Sequence, residues 1–281
     1  MTKMLIKYQE EDFNPLYWRS FKGIASLYGI NALGTFAQSQ VIIIGVGGVG
    51  SWAVESLARS GIGSLVLVDA DDICISNINR QLPALHSTKG DDKTEVLAQR
   101  CKDINPNLDV KIIDKFLAFE NMAEIICPHP FTAQGLTAEP QIQQPNVYVI
   151  DAIDNAEVKA NLINFCRRNK YKLVVCGAAG GKYDPSKISL ADLTQTSQDP
   201  LIANVRNRLR REFGYRDRFK DKKFNVPTVY SSEQMSLPED KQACDLQSLN
   251  CNNGYGSATV VTATFANFAV AKILELIKKN P

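Results

Sequence analysis

The sequence predicts a doubly wound α/β fold on a mostly parallel sheet, with an irregular C-terminal extension and a closing helix. Three observations predict it. Short apolar, β-rich runs alternate with segments of helical period through residue 181. The first of those runs ends in a glycine-rich turn that opens a helix. Beyond residue 181 the alternation stops, and a long apolar helical pattern closes the chain.

Residues 40–46, Gln-Val-Ile-Ile-Ile-Gly-Val, form a continuous apolar run, the pattern of a strand covered on both faces. Residues 48–60 place Val49, Trp52, Ala53, Leu57 and Ala58 at helical spacing. A second strand is expected over 64–69, a helix over 92–104 and a third strand over 109–113. A fourth strand over 147–150 ends at Asp151, a helix follows over 156–168, and a fifth strand covers 172–176. Residues 128–146 are rich in proline and glutamine, which predicts an inserted surface loop. Residues 199–213 read as an arginine-rich helix, 217–223 as a charged loop and 227–251 as irregular chain. The closing helix covers 257–278. A nucleotide-binding core with an N-terminal helical arm over 1–181, and a C-terminal part over 182–281, are expected to form one continuous domain.

Composition excludes several classes. Across 281 residues, 44% are hydrophobic and 22% charged, ordinary globular usage rather than that of a disordered or collagenous chain. Thirty-two basic against thirty acidic residues leave a net charge of only +2, so any nucleic-acid contact must occupy a local patch; no DNA partner is expected. The seven cysteines include no CxxC pair, which argues against structural zinc, and unpaired thiols fit a reducing compartment. The start passes from a short apolar patch into Glu10, Glu11 and Asp12, unlike a signal peptide, so a cytoplasmic location is expected. Residues 258–277 approach membrane-spanning length, but Thr259, Thr262, Thr264, Asn267, Lys272 and Glu275 interrupt them. A helix buried against the sheet explains this run best, with membrane association through it as the alternative.

The chemistry begins at the first turn. Gly45, Gly47, Gly48 and Gly50 lie between a strand and a helix, where backbone amides and a helix N-terminus together receive phosphate. Asp69 ends the second strand, placed to accept ribose hydroxyls. So far NAD would fit equally well. Past Asp69 the chain continues through Asp71, Asn77, Arg80 and Gln81, with Lys93 near the start of the next helix. Arg80 can grip phosphate as a fork and Lys93 as a mobile point charge, tasks that a hydride-transferring dehydrogenase would not use. Asp154, after the fourth strand, can hold a divalent metal against the same phosphates.

These motifs resemble the ubiquitin-activating-enzyme-like superfamily, which includes the molybdopterin- and thiamine-biosynthesis adenylating enzymes. Its members adenylate carboxylates with ATP and Mg2+. The resemblance implies a Rossmann-like fold, with Asp69 on the ribose and Asn77, Arg80 and Lys93 on the phosphates. It puts Asp154 on magnesium and assigns Asp71, Gln81 and Asn155 to the same nucleotide site. Arg80, Lys93 and Asp154 become the catalytic candidates. A homodimer is implied, with Arg19 as the candidate arginine lent by a neighbouring subunit. The second half, through Gly177-Ala-Ala-Gly180-Gly181, Asp184-Pro185, Asp199-Pro200-Leu201 and Gly254-Tyr-Gly256, is similar to one branch, the tRNA threonylcarbamoyladenosine dehydratases. That branch uses ATP to activate the threonyl carboxylate of a modified adenosine beside the anticodon. An internal nucleophile then closes a ring and releases AMP.

Between residues 206 and 223 nine basic side chains face three acidic ones, with Phe213, Tyr215 and Phe219 interleaved. Arg206, Arg208, Arg210, Arg211, Arg216 and Arg218 are therefore the candidate tRNA-binding residues. Cys251 is read as packing rather than as a transfer cysteine, because a dehydratase needs no thioester. Two other functions stay open. One is activation of a ubiquitin-like sulfur carrier, and the other a non-catalytic nucleotide-binding scaffold of a cysteine desulfurase system.

Overall fold

The computed structural model describes residues 7–215, 223–236 and 256–279. Two helices precede the sheet, α1 (Pro15–Tyr28) and α2 (Ile30–Ala37). Asn14 caps α1 by accepting from the amides of Leu16 and Tyr17, and Pro15 takes the first helical position, where no amide hydrogen is needed.

The chain then runs β1 (Gln40–Ile44), α3 (Gly50–Ala58), β2 (Ser64–Val68), α4 (Lys93–Ile104) and β3 (Asp109–Ile113). The short helix α5 (Met122–Ile125) leads to a hairpin of β4 (Phe131–Thr132) and β5 (Gln141–Ile142). Next come β6 (Val147–Asp151), α6 (Ala156–Arg168), β7 (Lys172–Cys176), β8 (Ile188–Asp192) and α7 (Pro200–Glu212). β9 (Pro227–Ser231) and the closing α8 (Thr259–Lys278) complete the described chain.

One sheet holds seven strands in the order β3-β2-β1-β6-β7-β9-β8, parallel except for β8 against β9. The chain leaves β1 toward β2 on one side, while β6 pairs on the other. The crevice at the carboxyl ends of β1 and β6 is therefore a topological switch point, where ligands of such sheets bind.

The continuous apolar runs have a direct explanation: β1, β2 and β6 are buried along their whole length. Val41 and Ile43 face a core shared with α3 and α8, while Ile42 and Ile44 face α6 and α7. Alternate residues thus serve opposite layers. α8 buries Val261, Phe265, Ala266, Ala269, Val270, Ile273 and Ile277 in the first of these cores. Val260 and Phe268 stand exposed on its other side. Among the described residues α8 is the helix long and apolar enough to cross a membrane, and its buried face is that of a core helix.

Two expectations needed correction. Residues 128–146 are more than a surface loop, because Phe131, Ala133 and Leu136 are buried with Phe13, Tyr17, Phe21 and Leu33 beneath the helical arm. Strands of two residues are too short to leave a periodic signal, and proline flanks them. Residues 227–231, expected to be irregular, form β9, which inserts between β7 and β8. Pro227 begins it, a position that tolerates a missing amide hydrogen. Residues 237–251 of that expected irregular stretch lie outside the described residues.

Besides this apolar packing, a buried hydrogen bond fastens the arm, where the Tyr17 hydroxyl donates to the Gly61 carbonyl. Tyr17→Phe leaves that carbonyl without its donor and should lower stability by about 1–3 kcal/mol. Urea unfolding measures it, and an unchanged midpoint would mean that the contact does not hold the arm.

Candidate active site

Gly45 follows β1 with φ at +81°, a conformation that side chains rarely adopt. Its amide donates to the Val68 carbonyl of β2 at 2.9 Å. A Cβ on Gly45 would stand 3.2 Å from the Ala152 carbonyl oxygen, so the turn after β6 lies directly against it. Gly50 opens α3 so close to the start of the turn that its Cβ would fall 1.8 Å from the Gly45 oxygen. No side chain fits there. The turn therefore ends with the N-terminus of α3 facing the switch point, the arrangement that receives phosphate.

Asp69 ties this turn to the next segment. Its Oδ2 accepts from the Val46 amide at 2.7 Å and its Oδ1 from the Asp71 amide at 3.0 Å. Ionised carboxylates carry further lone pairs, so Asp69 keeps acceptor capacity for a sugar hydroxyl. Asn77 is buried and accepts from the Cys74 amide, which shapes the bend that follows.

Arg80 sits partly buried over the turn. A Cβ on Gly48 would come within 3.6 Å of the Arg80 side chain and 3.3 Å of Thr262. The Arg80 guanidinium donates to the Ser76 carbonyl and to Asn79 Oδ1. Its carbonyl oxygen accepts from Trp52 Nε1 at 3.0 Å and from the Thr262 hydroxyl at 3.3 Å. The Thr259 hydroxyl donates to the Asn79 carbonyl, and Asn79 Nδ2 donates to the Ser257 carbonyl. The start of α8 thus holds the Arg80 segment in place. Gln81 is buried, a Cβ on Gly47 would stand 3.6 Å from its Nε2, and its Oε1 has no hydrogen-bond partner within the chain.

Lys93 is the first residue of α4 and is almost fully buried, with its Nζ 2.7 Å from Asp71 Oδ2. Asp71 itself is half exposed. The lysine charge is thus stored beside the turn on a carboxylate that water can reach. Asp154 is exposed in the turn that abuts Gly45. Asn155 caps α6, accepting from the amides of Glu157 and Val158. Among the described residues no group of three or more His, Cys, Asp or Glu side chains is placed to hold a metal.

Beneath the site lies an ion pair that sequence reasoning missed. Lys159 Nζ and Asp151 Oδ1 are 2.7 Å apart, both fully buried. Lys159 also donates to the Cys176 carbonyl at 3.1 Å, which links the carboxyl ends of β6 and β7. Asp151 Oδ1 accepts from Ile153 and so shapes the turn that carries Asp154. Burial pushes the Asp151 carboxyl above the usual carboxylate range, and Lys159 opposes that shift. A lysine on the apolar face of α6, beside Ala160 and Ile163, was the available signal.

The arginines of the basic segment are partly engaged within the fold. Arg206 donates to the carbonyls of Thr194 and Thr196, Arg208 pairs with Glu157 and Glu212, and Arg210 lies over the Phe224 ring. Arg211 is exposed. Arg216, Arg218 and Phe219, with Cys251, lie outside the described residues.

Residues 22–281 match the sequence model of the ThiF family. The chain belongs to the ThiF family. It is similar to the tRNA threonylcarbamoyladenosine dehydratase of Haemophilus influenzae, 45% identical over 266 residues that cover 94% of this chain and 95% of that relative. The Escherichia coli protein of the same name is 42% identical, over 92% of this chain and 93% of its own. Among solved structures, the ThiF-family chain resembles E. coli tRNA N6-threonylcarbamoyladenosine dehydratase in complex with ATP. That likeness has a TM-score of 0.79 and 39% identity, over 94% of this chain and 96% of that one.

Replacing Lys159 with Met leaves Asp151 buried without its countercharge and should cost about 3–5 kcal/mol. Adding Asp151→Asn should recover most of that loss. Denaturant unfolding of the single and double variants checks it, and equal losses in both would mean that the charges are not coupled.

Proposed function

We propose that this ThiF-family chain is an ATP-dependent tRNA threonylcarbamoyladenosine dehydratase that works through adenylation. The observation that carries the reading is the convergence, at one switch point, of an anion-receiving turn, the Asp69 carboxylate, Arg80 and a buried Lys93. Near full-length likeness to proteins of that name, one of them in complex with ATP, supports the substrate.

The ribose meets Asp69, and the phosphates meet the amides of the turn and the N-terminus of α3. Gln81 Nε2, beside Gly47, donates to the same phosphates. Arg80 and Lys93 stabilise the charge that gathers on the phosphates as the threonyl carboxylate attacks. A bond forms from a carboxylate oxygen to the α-phosphorus, the bond to the β-phosphate breaks, and pyrophosphate leaves. The tethered nucleophile of the same modified base then attacks the acyl carbon, AMP departs with the former carboxylate oxygen, and the net change is loss of water. Tethering makes this second step an intramolecular one, so orientation serves in place of a dedicated base.

The turn beside Gly45 suits magnesium, which is commonly held by one or two carboxylates together with substrate phosphates, and Asp154 is the residue that would hold it. When bound, the ion neutralises phosphate charge. In this reading tRNA meets α7 through Arg211, while Arg206, Arg208 and Arg210 hold the helix to its surroundings. The enzyme acts in the cytoplasm as a homodimer, with Arg19 exposed on α1 as the arginine that a second copy would receive.

Nucleoside mass spectrometry of threonylcarbamoyladenosine-bearing tRNA, incubated with protein and Mg-ATP, tests this. Loss of one water from that nucleoside is expected, with Lys93→Ala slower by about 10²-fold or more. An unchanged nucleoside with folded, ATP-binding protein would overturn the assignment. Asp154→Asn should raise the magnesium concentration needed for half-maximal rate by about tenfold or more, read from a metal titration, whereas an unshifted titration would remove Asp154 from the metal.

A further inference from the structure

The far end of α6 carries a second concentration of positive charge. Asn164, Arg167 and Arg168, spaced by three and four residues, share one face of the helix. With Tyr215, Lys223 and Phe224 they line an open cavity of about 420 Å³. None of the described lining residues is acidic. The floor is tied together: the Arg167 guanidinium lies 5.0 Å over the Tyr215 ring and donates to the Phe224 carbonyl. Tyr215 and Phe224 meet edge to face at 5.1 Å, with Phe224 buried. Arg168 and Lys223 stand exposed at the rim.

That chemistry suits a phosphodiester beside a planar base: cations for the anion, and the exposed Arg167 guanidinium for stacking. The cavity is not part of the nucleotide site. α6 begins next to Asp154, and 13 residues of helix carry the chain about 20 Å away from it. One ATP cannot reach both places, whereas one folded RNA can.

We propose that this cavity is a second contact for the tRNA, receiving a backbone phosphate and its neighbouring base away from the reacting adenosine. The inference rests on the tRNA-dehydratase reading and adds a place where the same substrate is held. It gives the exposed Arg168 and Lys223 a task that the nucleotide site does not.

The test is an Arg168→Ala, Lys223→Ala double variant, with Arg167 retained because it supports the cavity floor. Fluorescence anisotropy with full-length tRNA across a salt series gives Kd and its salt slope, and calorimetry gives the ATP Kd. The tRNA Kd should rise about tenfold and the slope should fall by about 1.4–1.8. ATP affinity, and kcat at saturating tRNA, should stay unchanged. An unaltered tRNA Kd and slope in a wild type that binds and dehydrates tRNA would overturn this inference alone. So would a loss of ATP affinity without tRNA, since the cavity would then serve a free nucleotide. A wild type that neither binds nor dehydrates tRNA would overturn the functional reading as well.

Discussion

The Asp69 carboxylate is the contact on which the rest of the site depends. One oxygen holds the Val46 amide at the base of the glycine turn, and the other holds the Asp71 amide at the start of the segment leading to Arg80 and Lys93. A single side chain at the end of β2 therefore sets the distance between the phosphate-receiving backbone and the cations that complete it. Such a contact works because Asp69 is almost fully buried, where a charge-assisted hydrogen bond is stronger than in water.

Two further devices keep that geometry in place. The Lys159–Asp151 pair joins the ends of β6 and β7 and shapes the turn carrying Asp154. Such a pair contributes little net stability, but loss of either partner leaves a buried charge, which makes the arrangement unforgiving of change. From the opposite side, Thr259 and Thr262 at the start of α8 hold the backbone at Asn79 and Arg80. The closing helix is thus part of the site, although its apolar face is the more conspicuous feature. The polar residues that interrupt its apolar run are, in these two cases, the ones that face Arg80.

The sequence was most legible where burial acts on both faces of a strand or where backbone geometry demands glycine. β1, β2 and β6 are read from continuous apolar runs, and the turn from Gly45 and Gly50, because nothing else fits at those two positions. Strand pairing is a different matter. β9 enters between β7 and β8 by a tertiary choice that no local period encodes. The β4–β5 hairpin is too short to register, so its buried Phe131 read as loop. Charge counting found the basic segment but could not tell that Arg206, Arg208 and Arg210 turn toward carbonyls, carboxylates and a ring of the fold itself. Lys159 is a different case: its place on the apolar face of α6 signals burial, but no local pattern names Asp151 as its partner.

Isotope transfer tests the adenylation account most directly. The threonyl carboxylate of the modified tRNA would carry heavy oxygen, and the AMP released in a single turnover would be weighed. Adenylation puts one heavy oxygen in each AMP, because a carboxylate oxygen becomes the bridge to the α-phosphorus and leaves with it. AMP without the label, accompanied by the same loss of water from the nucleoside, would show that the carboxylate is never joined to the nucleotide and would contradict the account.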